Sequence, residues 1–224
     1  MMIRHPEPGK VKTRLAKVYG DAFVAELYGC FVDDLLDRLA AGRFQLALTF
    51  TPADRYHDVR ERFGDRFRYL PQEGGDLGER MERAFSVCFS LGFDTVVLIG
   101  SDTPDLPAEV IEEAFDALED GAEAVLGPAC DGGYYLIGFR SDTFEPAVFT
   151  GIPWGEGTVF ERSVEILRRR GLRPHLTPLW RDIDRAEDLT DLRARHGSTA
   201  FSGSRTMAFL RDCLWGPRGE RHSR

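Results

Sequence analysis

The sequence predicts an α/β protein whose mostly parallel sheet is flanked by helices. Three observations carry that prediction. Short apolar runs alternate with amphipathic stretches of helical period along most of the 224 residues. Neither an internal repeat nor a Pro/Gly/Ser-rich linker divides the chain. Finally, the run Thr95-Val96-Val97-Leu98-Ile99 breaks off into Gly100-Ser101-Asp102-Thr103-Pro104-Asp105. A carboxylate therefore stands just past the carboxyl end of an internal strand, where open α/β sheets bind ligands.

Element by element, Met1-Met2-Ile3 is the apolar stub that precedes a proline- and glycine-containing loop. From Asp21 to Ala41, Val24, Leu27, Tyr28, Phe31, Leu35, Leu36 and Leu39 recur at helical spacing. Residues 44–50 read as a strand, after which Thr51 as N-cap, Pro52 at N1 and Asp54 at N3 signal a helix start. Phe67 to Leu70 is a short strand, and Asp76-Leu77-Gly78-Glu79 caps a helix with the stripe Met81, Ala84, Phe85, Cys88 and Phe89. The strand at 95–99 is followed by a helix from Pro107 to about Glu119, then strands at 122–127 and Tyr134–Phe139. Thr158 and Glu161 have capping-box spacing at the head of a helix that carries Arg168-Arg169-Arg170 in its last turn, favourable at the negative end of the dipole, before Gly171. Residues 172–177 read as an edge strand, and Asp184 opens a final helix. Beyond Gly197 the pattern weakens apart from an amphipathic piece at Met207–Leu214. Residues 1–197 are thus expected to form the functional domain and 198–224 a C-terminal extension, partly disordered from Gly216 on.

Hydrophobic content of 42% and charged content of 29% fit a globular chain with a real core. No run reaches the roughly 18–20 apolar residues of a membrane span, and the N-terminus lacks the apolar region of a signal peptide, so a cytoplasmic protein is expected. Cys30, Cys88, Cys130 and Cys213 form no CxxC and read as reduced thiols. The net charge of −8 argues against nucleic acid. Residues 1–20 nevertheless carry five cations (Arg4, Lys10, Lys12, Arg14, Lys17) against Glu7, leaving −12 for the rest of the chain. A basic patch in an acidic protein suits a small anionic ligand.

Five constellations have chemical content. In Arg4-His5-Pro6-Glu7-Pro8-Gly9-Lys10-Val11-Lys12-Thr13-Arg14-Leu15 the prolines and glycine exclude regular structure. The cations at 10, 12 and 14 fall to one side of an extended chain, and a cationic loop–helix junction suits phosphate. A solvated basic loop would share this composition, and neither the P-loop nor the dinucleotide-binding spacing is present. Asp105 is placed to cap the next helix, whereas Asp102 has no such structural use. Magnesium prefers one or two carboxylates plus phosphate oxygens and water. Asp131-Gly132-Gly133, between two strands, permits either close backbone approach or an ordinary tight turn. Asp184 stands as an N-cap with Glu187 at N3, yet Asp182 or Asp184 is also available as a second carboxylate. The stretch Gln72–Arg80, with Gly74, Gly75 and Gly78, either lets a nucleobase or ribose lie against backbone or is a flexible loop. The histidines form no pair at ligand spacing; His57, His175, His196 and His222 read as surface residues. No Gly-x-Ser-x-Gly elbow occurs, which argues against an α/β-hydrolase triad.

Taken together, Pro6-x-Pro8-Gly9-Lys10-Val11-Lys12-Thr13-Arg14-Leu15, Gly100-Ser101-Asp102-Thr103-Pro104, Asp131-Gly132-Gly133-Tyr134-Tyr135-Leu136-Ile137-Gly138, Trp154-Gly155 and Asp182-Ile183-Asp184 resemble one family. It is the bacterial GT-A-like group of nucleotide-diphospho-sugar transferases, often left as a domain of unknown function. That group is similar in turn to molybdenum-cofactor guanylyltransferase and phospholactate guanylyltransferase. The resemblance runs from about Arg4 to Leu192 and implies a three-layer α/β/α sandwich with a mostly parallel mixed sheet. It implies that Pro8, Gly9, Lys12 and Arg14 form the nucleotide-phosphate loop. Asp102 then takes the place of a metal-binding aspartate, with Asp184, or Asp182, as the second carboxylate for Mg2+ or Mn2+. Asp131, Gly132, Gly133 and Trp154 face the acceptor or sugar, and Asp131 is the candidate base. One departure stands out: family members carry a full apolar strand before the Pro-x-Pro-Gly loop, where this chain has Met1-Met2-Ile3.

The expectation is therefore a metal-dependent transferase that takes a nucleotide or nucleotide-diphospho-sugar donor and a small-molecule acceptor, with glycosyl transfer preferred. The alternatives are nucleotidyl transfer of the guanylyl or cytidylyl type to a phosphorylated acceptor, and a non-catalytic nucleotide-binding module. The sequence leaves base, sugar, stereochemistry and oligomeric state open.

Overall fold

The computed structural model describes residues 1–215. Strand β1 (Met2–Arg4) leads through the proline loop into helices α1 (Thr13–Tyr19) and α2 (Asp21–Leu39). There follow β2 (Ala47–Thr51), α3 (Tyr56–Phe63), β3 (Arg68–Pro71) and α4 (Leu77–Ser90). Next come β4 (Thr95–Ile99), α5 (Ala108–Glu119), β5 (Ala124–Pro128) and β6 (Tyr134–Arg140). The last elements are α6 (Val159–Arg169), β7 (Pro174–Leu176), α7 (Ala186–His196) and α8 (Arg205–Leu210).

The strands hydrogen-bond as two sheets, in the orders β1-β2-β3 and β4-β6-β5-β7. The first is parallel throughout. In the second, β6 is antiparallel to β4 and β5, while β5 and β7 are parallel. Successive strand residues point to opposite faces, and the core divides accordingly. Ile99, Val125 and Leu136 join an apolar cluster with Phe31 of α2, Ala114 of α5, Leu189 of α7 and Leu210 of α8. Their neighbours Leu98, Leu126 and Ile137 join a second cluster with Phe85 of α4 and Leu167 of α6. With both faces covered, the strands form the middle layer of an α/β/α sandwich, and the mixture of parallel and antiparallel ladders agrees with the fold read from the sequence. A cavity of about 110 Å³ is lined by Met1, by Ala47 and Thr49 of β2, by Val97 of β4 and by Phe115 of α5.

Local expectations fare unequally. The helices with a strong 3.6-residue pattern, α2, α4, α5 and α6, lie where the pattern puts them, and Asp76 Oδ1 caps α4 by accepting from Glu79 N at 2.9 Å. Helix α1, only seven residues long, falls in a stretch read as loop. Thr51 is not an N-cap: it ends β2 opposite Arg4, and the turn after Pro52 has no side-chain cap. Thr158 precedes α6 without a side-chain capping bond. Asp184 is not the cap of α7 either. That helix starts one residue later, at N-cap Arg185, with Asp188 rather than Glu187 at N3, and Asp188 Oδ2 accepts from the backbone N–H of Asp184 and Arg185 at 3.0 and 2.7 Å.

The segment from 198 is no appendage. Phe201, Met207 and Leu210 are buried in the same cluster as α2, and the buried Asp34 carboxylate of α2 accepts from the backbone N–H of Arg205 and Thr206. The disorder expected from Gly216 to Arg224 lies outside the described residues. Among the described residues the four cysteines are free thiols, and no helix is long and apolar enough to cross a membrane.

Candidate active site

A cleft of about 650 Å³ opens at the carboxyl ends of β1 and β4, and Ile3 and Ile99 both reach its floor. It is lined by Arg4, Lys10, Lys12 and Arg14 of the basic loop, by Ser101, Asp102, Asp131 and Asp184, and by Arg80 of α4. The loop is anchored from beneath. Tyr28 of α2 accepts from Arg4 N at 3.0 Å and shares a 2.7 Å hydrogen bond with Ser101 Oγ, while Arg4 Nη1 donates to Lys10 O at 3.1 Å.

Lys12 sits at the centre. Its backbone is left-handed, with φ 44 and ψ 47, at the N-cap of α1, where its side chain makes no capping bond. That side chain turns inward, 4% exposed, and Nζ lies 2.7 Å from Asp102 Oδ1 and 2.8 Å from Asp184 Oδ1. Arg14 Nη1 donates to the other oxygen of Asp184 at 3.2 Å. The expected division, cations for phosphate and carboxylates for metal, is therefore not how these side chains stand: they pair with one another. Burial by itself lowers the Lys12 pKa, and attraction to Asp102 and Asp184 more than reverses it, so the ammonium is held above its ordinary value. Burial likewise tends to raise Asp184, but Lys12, then Arg14, bring its carboxyl below the ordinary range. Asp182 goes the other way. Burial, then the nearby charges of Asp131 and Asp184, push it up to about 6.

Three tethers hold the two carboxylate-bearing segments together. Ile183 N donates to Asp102 O at 2.8 Å. Cys130 N donates to Trp180 O at 2.9 Å and so carries the Asp131 loop along. Asp105, whose side chain is fully buried, is the third. It accepts from Trp180 Nε1 at 3.1 Å and Arg195 Nη1 at 2.6 Å, and pairs with His196 Nε2 at 2.7 Å. Asp105 therefore does not cap α5, which starts after Pro107, and His196 is not a surface residue but part of this tie.

Of the predicted residues, Lys12, Arg14, Asp102, Asp131 and Asp184 line the cleft together; Pro8, Gly9, Gly75, Gly78, Gly132, Gly133 and Trp154 do not. A Cβ at Gly78 would lie 2.3 Å from Phe149 O and 2.8 Å from Trp154 Cζ2, so this glycine serves helix packing, not a base. Gly75 donates its N–H to Glu79 Oε2 at 2.6 Å. Gly132, at φ 87, faces Gly157 O, which a Cβ would meet at 2.0 Å. Gly133 N donates to Asp131 Oδ1 at 2.8 Å, which shapes the turn. Trp154 packs edge-on to Tyr134 and covers Gly78. The sequence reading missed Tyr28, Ser101, Tyr134 and Arg80 as cleft residues. Arg80, four residues past the Asp76 cap in the glycine-rich stretch already under suspicion, carried the one available signal.

Among the described residues no group of three or more His, Cys, Asp or Glu side chains is placed to hold a metal ion, so a divalent cation here would depend on Asp102 and Asp184 together with oxygens brought by a ligand. Two carboxylates from separate segments converge on one point, where the Lys12 ammonium supplies the positive charge in this structure, and magnesium takes such a pair when phosphate oxygens and water complete its shell.

The family model described as "Uncharacterized protein conserved in bacteria (DUF2064)" matches residues 35–156. A crystal structure of a candidate nucleotide-diphospho-sugar transferase from Desulfovibrio desulfuricans G20 superposes with a TM-score of 0.91 at 44% identity, covering 94% of this chain and 92% of that one. A cytidylyltransferase from Leptospira borgpetersenii serovar Hardjo-bovis (strain JB197) shares the fold, with TM-score 0.53 at 15% identity over 94% of this chain and 90% of its own. Among curated proteins, the 3-deoxy-manno-octulosonate cytidylyltransferase of Francisella tularensis subsp. novicida (strain U112) is 27% identical over 120 residues. That match takes in 52% of this chain and 44% of the relative, less than half its length.

Proposed function

We propose that this chain, which belongs to the bacterial family DUF2064, is a transferase that takes its donor as a nucleotide or nucleotide-diphospho-sugar together with Mg2+ or Mn2+. One observation carries the reading: Asp102 and Asp184 converge on a single cationic position beside a basic loop, inside a cleft at the carboxyl ends of the strands. The similarity to the Desulfovibrio protein over nearly the whole chain supports it.

In this reading Asp102 and Asp184 hold the divalent ion, and Lys10, Lys12 and Arg14 meet the donor diphosphate. When bound, the ion neutralises charge that gathers on the leaving diphosphate. The basic loop, anchored through Tyr28 and Arg4, holds Lys10, Lys12 and Arg14 beside the two carboxylates, within reach of a diphosphate that arrives with the ion. Asp131, across the cleft, orients the acceptor. For glycosyl transfer an acceptor hydroxyl attacks the anomeric carbon, its proton passes to the Asp131 carboxylate, the bond from carbon to phosphate oxygen breaks, and the nucleoside diphosphate leaves. The charge of that end favours this over nucleotidyl transfer. Asp182 is raised to about 6 by burial first and then by the nearby charges of Asp131 and Asp184, and a phosphorylated acceptor would meet negative charge there. The similarity to a cytidylyltransferase keeps nucleotidyl transfer as the second reading.

Titration calorimetry with a panel of nucleoside diphosphates, triphosphates and nucleotide-sugars, with and without Mn2+, tests the proposal on wild type and Asp102→Ala. At least one nucleotide should bind in the presence of metal, at least tenfold more weakly without it, and be lost in the variant. Absence of binding by folded wild type would overturn the reading. Preference for a triphosphate over every nucleotide-sugar would move it to nucleotidyl transfer.

A further inference from the structure

The point where Asp102 and Asp184 converge is already filled. Lys12 Nζ makes close contact with one oxygen of each carboxylate, at 2.7 and 2.8 Å, and its side chain is 4% exposed. Lys12 is also the one non-glycine residue with positive φ among the described residues. A straight-chain residue adopts this conformation at a cost and keeps it where its surroundings over-determine it. Here those surroundings are the two carboxylates.

A hard divalent cation bound to the same oxygens needs them at about 2.0–2.1 Å. It would then stand within a few ångströms of the ammonium, and the two positive charges would repel strongly. One of them must leave. The ammonium is enclosed, so an isolated metal ion would strand a charged lysine away from water and without a partner. That cost disappears if an anion arrives with the metal and takes the ammonium over. Lys10 and Arg14 line the same cleft, so the anion's place is next to Lys12.

We infer that Lys12 is an intramolecular stand-in for the divalent cation: it closes the Asp102–Asp184 pair until a metal and a diphosphate enter together, whereupon the ammonium passes from the carboxylates to the diphosphate. Metal and nucleotide then bind interdependently, and each raises the affinity for the other by the same factor. Free metal alone has little access. This inference rests on the proposed function for the identity of the anion, but not for the closure of the carboxylate pair.

The test is Mn2+ binding, followed by electron paramagnetic resonance and calorimetry, with the full chain as wild type, Lys12→Met and Lys12→Gly. The glycine variant tolerates the left-handed backbone and serves if the methionine variant fails to fold. Wild type should bind Mn2+ alone weakly, and both variants at least tenfold more tightly. Asp102→Asn added to Lys12→Met should abolish that gain, which locates the ion. A saturating nucleoside diphosphate should tighten Mn2+ binding in wild type by a factor at least tenfold larger than in the variants, where only the phosphate oxygens that complete the metal's shell couple the two. Equal Mn2+ affinity in wild type and variants would overturn the inference, as would nucleotide coupling as large in Lys12→Met as in wild type. If the variants gain Mn2+ while no nucleotide binds any form, the closure stands and the proposed function falls.

Discussion

Asp182 and Asp184 stand two residues apart, yet their carboxyls are displaced in opposite directions. Asp184 is paired with Lys12 and Arg14 and held low; Asp182 has burial and two acidic neighbours and is raised to about 6. The signs differ for stability. Asp184 stabilises above the ordinary carboxylate pKa, and that contribution is lost as pH falls through its depressed folded pKa. Asp182 costs nothing while protonated in both states, so its penalty grows as pH rises from about 4 to 6 and is full above that. We therefore expect Asp182→Asn to leave stability unchanged near pH 4 and to raise it by about 1–2 kcal/mol at pH 7, a figure discounted because the group is partly exposed. Urea unfolding at intervals across that range checks it; a difference independent of pH would contradict the assignment. The sequence displayed every charge of this cluster but not its pairing. Lys12 and Asp184 are 172 residues apart, and nothing local says that a lysine in a phosphate-like loop will turn back onto carboxylates. The reading that split them into phosphate and metal groups named residues that line one cleft here but not their pairing with one another.

At the scale of elements, local capping patterns misled where tertiary partners were stronger. Asp105 had a suitable position before α5, but Trp180, Arg195 and His196 offer a buried carboxylate three donors, more than a helix start does. In effect α7 is bolted to the loop that carries Asp102. Asp105→Asn should cost about 2–3 kcal/mol, below the about 3–5 of a fully buried pair because Arg195 keeps contact with water. Although no ligand touches residue 105 in the proposed complex, metal-dependent nucleotide affinity should fall several-fold as Asp102 loses its position. Calorimetry on a variant still folded by circular dichroism measures this, and unchanged affinity would make the Asp105 tie purely structural. The helices legible in the sequence are those of eleven residues or more with a clear apolar stripe, as in α4, α5 and α6. Helix α1, of seven residues, is too short to display a period, and α8, of six, left only the amphipathic piece at Met207–Leu214. Gly78 was similarly opaque: a glycine required for contact with Phe149 O and Trp154 looks in sequence like one reserved for a ligand. Gly78→Ala should destabilise by about 1–3 kcal/mol through overpacking, read as a lowered urea midpoint.

For the whole molecule, alternation of strand and helix patterns was enough to place a covered sheet between two helical layers, because the inner runs β4, β5 and β6 are apolar on both faces. It was not enough to find where the domain ends. The weakening of pattern after Gly197 reflects short turns, not loss of packing: Phe201, Met207 and Leu210 close the far side of α2, and Asp34 caps the chain that carries them. Removing these three side chains from the core forfeits about 1.5–3 kcal/mol each. Their sum approaches the whole stability of an ordinary domain, about 5–15 kcal/mol, and the buried Asp34 would lose its two backbone donors as well. A chain cut after residue 197 should therefore aggregate or unfold at ordinary temperature although it retains every residue of the cleft, and Leu210→Ala in the full chain should cost about 2–5 kcal/mol. Thermal melts of both decide the point. A stable, cooperative 1–197 fragment would mean that the terminal helix merely rests on α2; its failure would mean that the cleft is held open by a layer whose last part lies beyond the residues that form it.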